Sequence, residues 1–268
     1  MLDYGKRNLL GILVDTVDYD AAVARIISEA RAGHRWTVTA LAVHGVMTGF
    51  LDEEHRYRLN HLDMIVPDGQ PVRWGLNLLH GVGLRERVYG PTLMLRVCET
   101  ASREEIPVYL YGSREAVLDR LVARLRQMFP LLAIAGAEPS RFRRLTPDEK
   151  METVNRIREA GSGITFVGLG CPRQEVWAYE FGDQLSMPVI AVGAAFDFHA
   201  GSLPQAPRGL RRAGLEWAFR LVQEPRRLWR RYLLLNPLYL AMLALQLSGR
   251  KVFDPDTRKA PKEELLIG

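Results

Sequence analysis

The chain has 268 residues, of which 47% are hydrophobic and 25% are charged, and its formal net charge is +5. This hydrophobic content is ample for the core of one large domain, with or without an extension. The two cysteines, Cys98 and Cys171, match no CxxC or metal-ligand spacing. Their separation excludes a disulfide framework and favours a reducing, cytoplasmic compartment.

The first 200 residues alternate between strand and helix patterns. Residues 1–15 carry charges before a short apolar run, which favours a first strand over a signal peptide. The predicted strands cover residues 8–14, 36–41, 64–66, 107–111, 132–135, 164–169 and 188–192. The predicted helices cover residues 18–32, 70–80, 91–102 and 113–128 and begin near residues 43, 147 and 172. This alternation predicts an α/β fold in which a Rossmann-like, mostly parallel sheet is flanked by helices.

The pattern changes after about residue 200. Residues 200–207 are rich in glycine, proline and small residues, and helices are predicted over residues 208–222 and 226–247. Eight arginines but only two glutamates lie between residues 207 and 232, so positive charge is concentrated there. We therefore predict a catalytic α/β domain over residues 1–203, a C-terminal basic amphipathic helical appendage over 204–249, and a flexible tail over 250–268.

Residues 233–247 form an apolar run that contains only Asn236 and Gln246 as polar residues. The run is shorter than the ~20 residues that a helix needs to span a bilayer. Arginines precede it, and Trp229, Tyr232 and Tyr239 suit the headgroup region of a membrane. We expect the appendage to lie on the inner face of the cell membrane. The alternative is a buried helix that packs on the domain or on a partner subunit.

Asp68 is the leading candidate for a catalytic residue. Pro67 and Gly69 are turn formers that end an apolar strand and place Asp68 at its carboxyl end. Open α/β sheets bind their ligands at that edge, and one positioned carboxylate there can act as a general base. A free aspartate has a pKa of about 3.9, and partial burial would make it more basic. The alternative is that Asp68 only caps the helix that begins at Gln70.

Three further strand-to-helix junctions should meet Asp68 at the same edge of a parallel sheet. At the first, Gly112 would let the backbone approach a ligand, and Ser113 would cap the following helix. The second contains two glycines and then two polar residues in the first helical turn, namely Gly168, Gly170, Arg173 and Gln174. The third is a corner of small residues that begins at Gly193. Because helix N-termini and glycine-rich turns bind phosphate, these junctions together predict a nucleotide or another phosphorylated ligand.

Three arginines of the appendage are candidates for binding a diphosphate. Arg220, Arg227 and Arg230 are seven and three residues apart, which would align them on one helical face, although Pro225 should break the helix between them. Arginine binds phosphate through two parallel hydrogen bonds, so the three side chains could converge on one diphosphate. The alternative is a basic stripe that faces solvent or lipid.

The sequence lacks the motifs of other nucleotide-dependent classes. The first strand-to-helix turn has no glycine, so the dinucleotide-binding fingerprint is missing, and no GxxxxGK[ST] loop is present. The histidines make no i,i+4 ligand pair, and we predict no metal site. A nucleotide-dependent oxidoreductase and a non-catalytic membrane adaptor remain as alternative functions.

Several motifs together resemble the WecG/TagA/CpsF glycosyltransferases. They occur in the order seen in that family, within about residues 8–235: VPDGQPVRW, RVYGPTLM, VYLYGS, ITFVGLGCPRQE, VGAAFDFHAG and AGLEWAFRLVQEPRRLWRR. The resemblance implies an inverting transferase that needs no metal or cofactor. Such an enzyme moves a sugar from a UDP-sugar to a sugar linked by diphosphate to a polyprenol, in the synthesis of exopolysaccharide, common antigen or teichoic acid.

The resemblance also implies roles for individual residues. The family's base corresponds to Asp68 and its glutamine near the nucleotide to Gln174. Its C-terminal arginines, which are expected to bind the acceptor diphosphate or the leaving UDP, correspond to Arg220, Arg227 and Arg230. Many members have an asparagine where Ala42 stands here, so Thr39 or His44 is expected to make the donor contact instead. The expected donor site is completed by residues beside Asp68 and at the glycine junctions: Gly69, Gln70, Gly112, Ser113, Gly168, Gly170 and Arg173.

The resemblance favours glucose or N-acetylmannosamine as the transferred sugar. The expected partners are the UDP-sugar, the polyprenyl-diphosphate-linked sugar and the membrane surface. A homo-oligomer is possible, and nucleic acid is not expected as a partner.

Overall fold

The computed structural model describes residues 1–256 and 259–268, and within the helices it leaves undescribed the side chains of Arg208, Arg212, Arg227, Arg230 and Arg231. The strands are β1 (Asp3–Leu9), β2 (Ile12–Val17), β3 (Trp36–Leu41), β4 (Met64–Pro67), β5 (Val108–Gly112), β6 (Ile134–Glu138), β7 (Ile164–Gly168) and β8 (Pro188–Ala191). The helices up to the end of the α/β core are α1 (Tyr19–Ala32), α2 (Val43–Leu51), α3 (Glu53–Asn60), α4 (Gln70–His80), α5 (Gly90–Arg103), α6 (Glu115–Met128), α7 (Pro147–Glu159), α8 (Arg173–Gly182) and α9 (Ala195–His199).

Six strands form one parallel sheet in the order β4-β3-β8-β7-β5-β6. Its central strands are buried on both faces, as in β7, where Ile164, Phe166 and Val167 are fully covered. Helices pack on the two faces and give two apolar clusters, one around Ile26, Leu93 and Phe166 and the other around Trp177 and Phe181. A sheet that is covered on both sides requires continuous apolar strands, which is the pattern in the sequence. The predicted α/β fold is confirmed.

The first predicted strand is wrong. Residues 8–14 span the turn of a separate antiparallel hairpin, in which β1 pairs with β2. Leu10 and Gly11 both have positive φ angles, 55° and 86°, as a tight hairpin turn requires. The strand prediction missed this turn because leucine is unusual at such a position and continues the apolar run.

The C-terminal appendage consists of short helices that lie against the α/β core. They are α10 (Arg208–Arg212), α11 (Glu216–Gln223), α12 (Pro225–Arg230), a π-helical turn (Arg231–Leu235) and α13 (Asn236–Leu247). In α13, Tyr239 and Leu243 are buried, and the hydroxyl of Tyr239 donates a 2.9 Å hydrogen bond to the carbonyl of Pro71 at the start of α4. One face of α13 therefore belongs to the core of the protein, as in the alternative expected for this segment.

The opposite face of this region is apolar and exposed. The exposed leucines are Leu233, Leu234, Leu240 and Leu247. None of the helices in the described ranges is both long enough and apolar enough to cross a bilayer. The helix pattern at residues 233–247 therefore combines a packed face with an exposed apolar face.

The last residues, for which a flexible tail is predicted, return along the α/β core. The side chain of Asn8 donates a 2.6 Å hydrogen bond to the carbonyl of Phe253, whose ring is buried. The carboxylate of Glu180 accepts hydrogen bonds of 2.8 and 2.9 Å from the backbone N–H groups of Leu265 and Leu266. These contacts satisfy polar groups on both segments.

The contact between α4 and α13 provides a direct test of how the appendage is held. A Cβ atom on Gly75 would lie 2.6 Å from the hydroxyl oxygen of Tyr239 and 3.0 Å from Leu9. We expect Gly75→Ala to lower the free energy of unfolding by about 1–2 kcal/mol, because overpacking outweighs the gain in helix propensity. Denaturant unfolding would measure the change. Gly209→Ala is the matched control, since no atom of the described residues lies within 4 Å of its added methyl group, and an equal loss there would contradict the interpretation.

Candidate active site

The carboxyl ends of five parallel strands open into one large crevice. We call this cavity the sheet-edge crevice; its volume is about 1000 Å³. It is lined by residues that follow β3, β4, β5, β7 and β8, among them His44, Asp68, Ser113, Gly168, Gly170, Arg173, Gln174 and Gly193, and by Arg220 of the appendage. The parallel sheet therefore brings most of the predicted site residues together, as expected for an open α/β sheet.

Asp68 lies between this crevice and a second cavity of about 120 Å³, which we call the Asp68 chamber. The backbone N–H of Asp68 donates to the carbonyl of Leu41, 3.1 Å away, so the corner after β4 is fixed to the end of β3. Gly69 is the N-cap residue of α4, without a side-chain capping bond, and α4 begins at Gln70. Asp68 thus lines both cavities.

The surroundings of Asp68 make its carboxyl group unusually basic. Burial raises the pKa of this carboxyl to about 7, and the negative charge of Glu216 adds to the increase. The charges of Arg87 and Arg220 and a hydrogen bond from the backbone N–H of Gly90 act in the opposite direction. Burial dominates because the protein interior stabilises a charge less well than water does. The carboxyl is thus set to gain and lose a proton near neutral pH.

A charged cluster on the wall of the Asp68 chamber joins the appendage to the core. Glu216, on α11, forms an ion pair with Arg87 and accepts a 2.9 Å hydrogen bond from the hydroxyl of Tyr89. The guanidinium of Arg87 also lies over the ring of Tyr89, 4.4 Å from its centre. None of the three is predicted as a site residue from the sequence, although Arg87 and Tyr89 lie in the RVYGPTLM motif and Glu216 in the GLEW motif.

The junction after β5 differs from its prediction. A Cβ atom on Gly112 would lie 2.9 Å from the backbone of Gly168, so this glycine permits close packing of two strand ends and does not line the crevice. The N-cap of α6 is Arg114, without a side-chain capping bond, so Ser113 does not cap the helix. The backbone N–H of Ser113 donates to the carbonyl of Gly168, 3.0 Å away, and is occupied.

Ser113 nevertheless lines the crevice in a strained conformation. Its φ angle is +58°, in the left-handed region that costs a non-glycine residue of order 1 kcal/mol or more. Gly170, after β7, also has a positive φ angle, 76°, and no atom in the described part of the chain would contact an added Cβ there. The space above Gly170 is open to the crevice, so a ligand can approach this backbone closely.

A buried polar network lies beneath the crevice and orients Gln174. The side-chain amide of Gln174 donates to a carboxylate oxygen of Glu175 at 2.9 Å and accepts from the backbone N–H of Gly193 at 2.9 Å. The hydroxyl of Thr39 donates to the same oxygen of Glu175 at 2.9 Å. Burial raises the pKa of Glu175. Thr39 is fully buried and does not line either cavity, so the network holds Gln174 in place from below.

The structure distinguishes Thr39 from His44, the two residues expected to replace the family's asparagine in contacting the donor. Ala42 and His44 line both the sheet-edge crevice and the Asp68 chamber, whereas the hydroxyl of Thr39 is engaged by Glu175. Of Thr39 and His44, only His44 is positioned to contact a molecule in the cavities.

The predicted arginines of the appendage are only partly described. Arg220, on α11, lines both cavities, and its guanidinium lies 5.9 Å from the ring centre of Phe198. Arg227 and Arg230 lie in α12, but their side chains are outside the described part of the structure. In the described ranges, no group of three or more His, Cys, Asp or Glu side chains is arranged to hold a metal ion.

The raised pKa of Asp68 should also make the free energy of unfolding depend on pH. A carboxyl that binds its proton more tightly in the folded chain destabilises the fold as it ionises. Wild type should therefore lose stability relative to Asp68→Asn as the pH rises from about 4 to about 7, because asparagine stays neutral. Between pH 4 and pH 8 the stability of the variant relative to wild type should rise by up to about 4 kcal/mol, since one pKa unit corresponds to about 1.4 kcal/mol. Denaturant unfolding of both proteins at pH 4 and pH 8 measures this change, and a stability difference that is the same at the two pH values would contradict the assignment.

Comparison with known proteins identifies the family of this chain. The model of the WecG/TagA/CpsF glycosyl transferase family matches residues 7–252. An N-acetylglucosaminyldiphosphoundecaprenol N-acetyl-beta-D-mannosaminyltransferase of Bacillus spizizenii is 28% identical over 194 residues, which cover 72% of this chain and 73% of the relative. The protein of the same name from Bacillus subtilis is 26% identical over 209 residues, 78% of each chain. These matches favour sugar transfer over the oxidoreductase and adaptor interpretations, and the chain belongs to the WecG/TagA/CpsF family of glycosyltransferases.

Proposed function

We propose that this enzyme is an inverting, metal-independent glycosyltransferase with Asp68 as its general base. The donor is a UDP-sugar, and the acceptor is a sugar linked by diphosphate to a polyprenol. The observation that carries the proposal is the position of Asp68, which lines both the sheet-edge crevice and the Asp68 chamber. A base in that position can reach a hydroxyl group that attacks a donor bound in the crevice.

In the proposed reaction, an acceptor hydroxyl attacks the anomeric carbon of the donor sugar on the side opposite UDP. The bond between this carbon and the UDP oxygen breaks as the new glycosidic bond forms, and Asp68 takes the hydroxyl proton. The pKa of about 7 supports this role, because a base is most effective when its pKa is near the working pH. Arg87 and Glu216, an ion pair beside Asp68, would balance the charge changes there.

The leaving UDP carries negative charge that the protein must stabilise without a metal. Arg114, Arg173 and Arg220 line the sheet-edge crevice and can supply that positive charge. The crevice volume of about 1000 Å³ leaves room for a nucleoside diphosphate and a sugar. Gln174, held by Glu175 and Gly193, would present a fixed amide edge to the nucleotide.

The named relatives transfer N-acetylmannosamine to an N-acetylglucosaminyl diphosphoundecaprenol. We extend this acceptor class to the present enzyme, with N-acetylmannosamine or glucose as the transferred sugar. Ala42 offers no side-chain hydrogen bond to the donor, so His44 is the candidate for the contact that selects the sugar.

The exposed apolar surface of the appendage supports a location on the inner face of the cell membrane. Trp229, Leu233 and Leu234 are exposed beside an arginine-rich helix, a combination that favours contact with anionic lipid. Such contact would bring the active site to a substrate whose polyprenyl chain stays in the bilayer.

A transfer assay tests the proposal. Wild-type protein should transfer sugar from UDP-glucose or UDP-N-acetylmannosamine to a synthetic N-acetylglucosaminyl-diphosphate lipid, in the presence of excess EDTA. NMR of the product should show an inverted anomeric centre. Asp68→Asn should lower kcat by about 10²-fold or more, because the attacking hydroxyl loses its base, and should leave the Kd for UDP within about twofold.

The matched control is Asp119→Asn, the same chemical change at an exposed position of α6. This variant should retain wild-type turnover. Near-normal turnover of Asp68→Asn would exclude Asp68 as the base. Retention of the anomeric configuration would exclude the direct displacement, and loss of activity in EDTA would exclude the metal-independent reaction.

A further inference from the structure

A third cavity, rich in arginine, adjoins the Asp68 chamber. We call it the arginine groove; its volume is about 550 Å³. Its lining includes four guanidinium groups, those of Arg73, Arg85, Arg87 and Arg211, and one carboxylate, that of Glu86. These residues come from α4, from the loop before α5 and from α10, so the appendage contributes Arg211 to a groove that is otherwise formed by the core. An excess of guanidinium groups around one cavity favours an anionic ligand.

The arginine groove lies on the other side of the Asp68 chamber from the sheet-edge crevice. The arginine groove and the Asp68 chamber share Gln70, Arg87 and Tyr89. The sheet-edge crevice and the Asp68 chamber share other residues, including His44, Asp68 and Arg220. The described residues that line the groove include none that line the crevice. The three cavities therefore form a series of crevice, chamber and groove, and Asp68 lies between the crevice and the chamber.

Three polar atoms in this region are buried without a hydrogen-bond partner among the described residues. They are the Nε atoms of Arg73 and Arg211 and the Oε1 atom of Gln70. The guanidinium of Arg73 also donates to the carbonyl of Leu84, 3.2 Å away, which fixes its position in the loop. Buried polar atoms normally have partners, so these atoms indicate that a polar ligand completes the groove.

The reaction geometry indicates which ligand this is. In an inverting displacement the attacking hydroxyl approaches the anomeric carbon opposite the leaving group, so the acceptor lies on the side of the donor sugar away from UDP. Asp68 lines both the sheet-edge crevice and the Asp68 chamber, so an acceptor in the chamber can meet this base while UDP occupies the crevice. An acceptor sugar in the Asp68 chamber, with its attacking hydroxyl at Asp68, would carry its diphosphate on its own anomeric carbon. The diphosphate could then extend into the adjoining arginine groove. We propose that the arginine groove binds the diphosphate of the lipid-linked acceptor, an inference that rests on the proposed function. Arg220 is then left to the leaving UDP.

The surface beside the groove suits the lipid part of such an acceptor. Trp74 follows Arg73 on α4 and is 42% exposed, and Leu78, one turn further, is 61% exposed. Gly214 packs against Trp74, since a Cβ atom there would lie 2.9 Å from the indole ring. An apolar chain that leaves the groove along α4 would therefore meet apolar side chains and continue toward the bilayer.

Binding measurements on the full chain test the proposal. The probe is N-acetylglucosaminyl diphosphate with an undecyl chain, titrated without donor, and UDP is titrated separately. Arg85→Gln and Arg211→Gln should each raise the Kd for the probe by about 10-fold, and the double variant by about 100-fold, because each loses a charge-assisted hydrogen bond to phosphate. The Kd for UDP should stay within twofold of wild type, which also shows that the variants are folded.

Two further arginine variants serve as controls. Arg103→Gln removes the same charge from an exposed ion pair with Glu99 and should change neither Kd. Arg120→Gln changes a residue that lines the sheet-edge crevice and should weaken UDP binding without changing the Kd for the probe. Unchanged probe affinity in the Arg85/Arg211 double variant would overturn the proposal. If the same double variant also bound phosphatidylglycerol vesicles more weakly than wild type, the groove would instead be a site for lipid headgroups.

The two proposals fail in different ways. If wild type transfers sugar and the double variant keeps the wild-type KM for the acceptor, the groove assignment is wrong and the proposed function stands. If wild type binds the probe through Arg85 and Arg211 but transfers no sugar from any donor, the groove assignment stands and the proposed function is wrong.

Discussion

The ion pair between Glu216 and Arg87, with the hydrogen bond from Tyr89, is the interaction on which the rest of the site depends. It joins α11 of the appendage to the loop that follows β4 and α4. This contact closes the Asp68 chamber and completes the arginine groove, and it sets a negative charge close to Asp68. Both partners are largely covered, with 13% and 12% of their side chains exposed, so removing one partner would leave a charge poorly solvated.

The same contact connects the position of the appendage to the chemistry of the core. Burial of Asp68 and the charge of Glu216 both raise the pKa of its carboxyl, and the chamber wall supplies part of each effect. An enzyme whose appendage left the core would therefore have a weaker base and an incomplete acceptor groove. Since the appendage also carries the exposed apolar residues, contact with a membrane and readiness for catalysis would be favoured in one conformation.

This arrangement lowers the free energy of unfolding. A carboxylate that is partly withdrawn from water and lies near a second carboxylate favours the protonated form, and its ionisation weakens the fold. Ser113, held at a positive φ angle at the crevice, adds a smaller strain of the same kind. Sites that are built for a reaction commonly retain such local costs, and the well-packed parallel sheet beneath offsets them.

Much of the fold and part of the site can be predicted from the sequence. The Pro67–Gly69 corner and the glycine junctions follow from local turn chemistry, and a parallel sheet brings strand ends to one edge whatever the strand order. The pairing of Arg87 with Glu216 could not be predicted, because 129 positions separate them and neither lies in a repeating pattern. Nor could the burial of Thr39 beneath Glu175 or the turn at Leu10, since each depends on tertiary packing rather than on local propensity.

The pH dependence of kcat/KM for the acceptor, compared between wild type and Glu216→Gln, tests the central claim most directly. If Asp68 is the base, the wild-type rate should rise about tenfold per pH unit at low pH and level off near pH 7, where its carboxyl ionises. In Glu216→Gln the same rise should occur at lower pH, because loss of the Glu216 charge and release of Arg87 both lower the pKa of Asp68. A rise that lies near pH 4 in wild type, or that stays in place in the variant, would contradict the account.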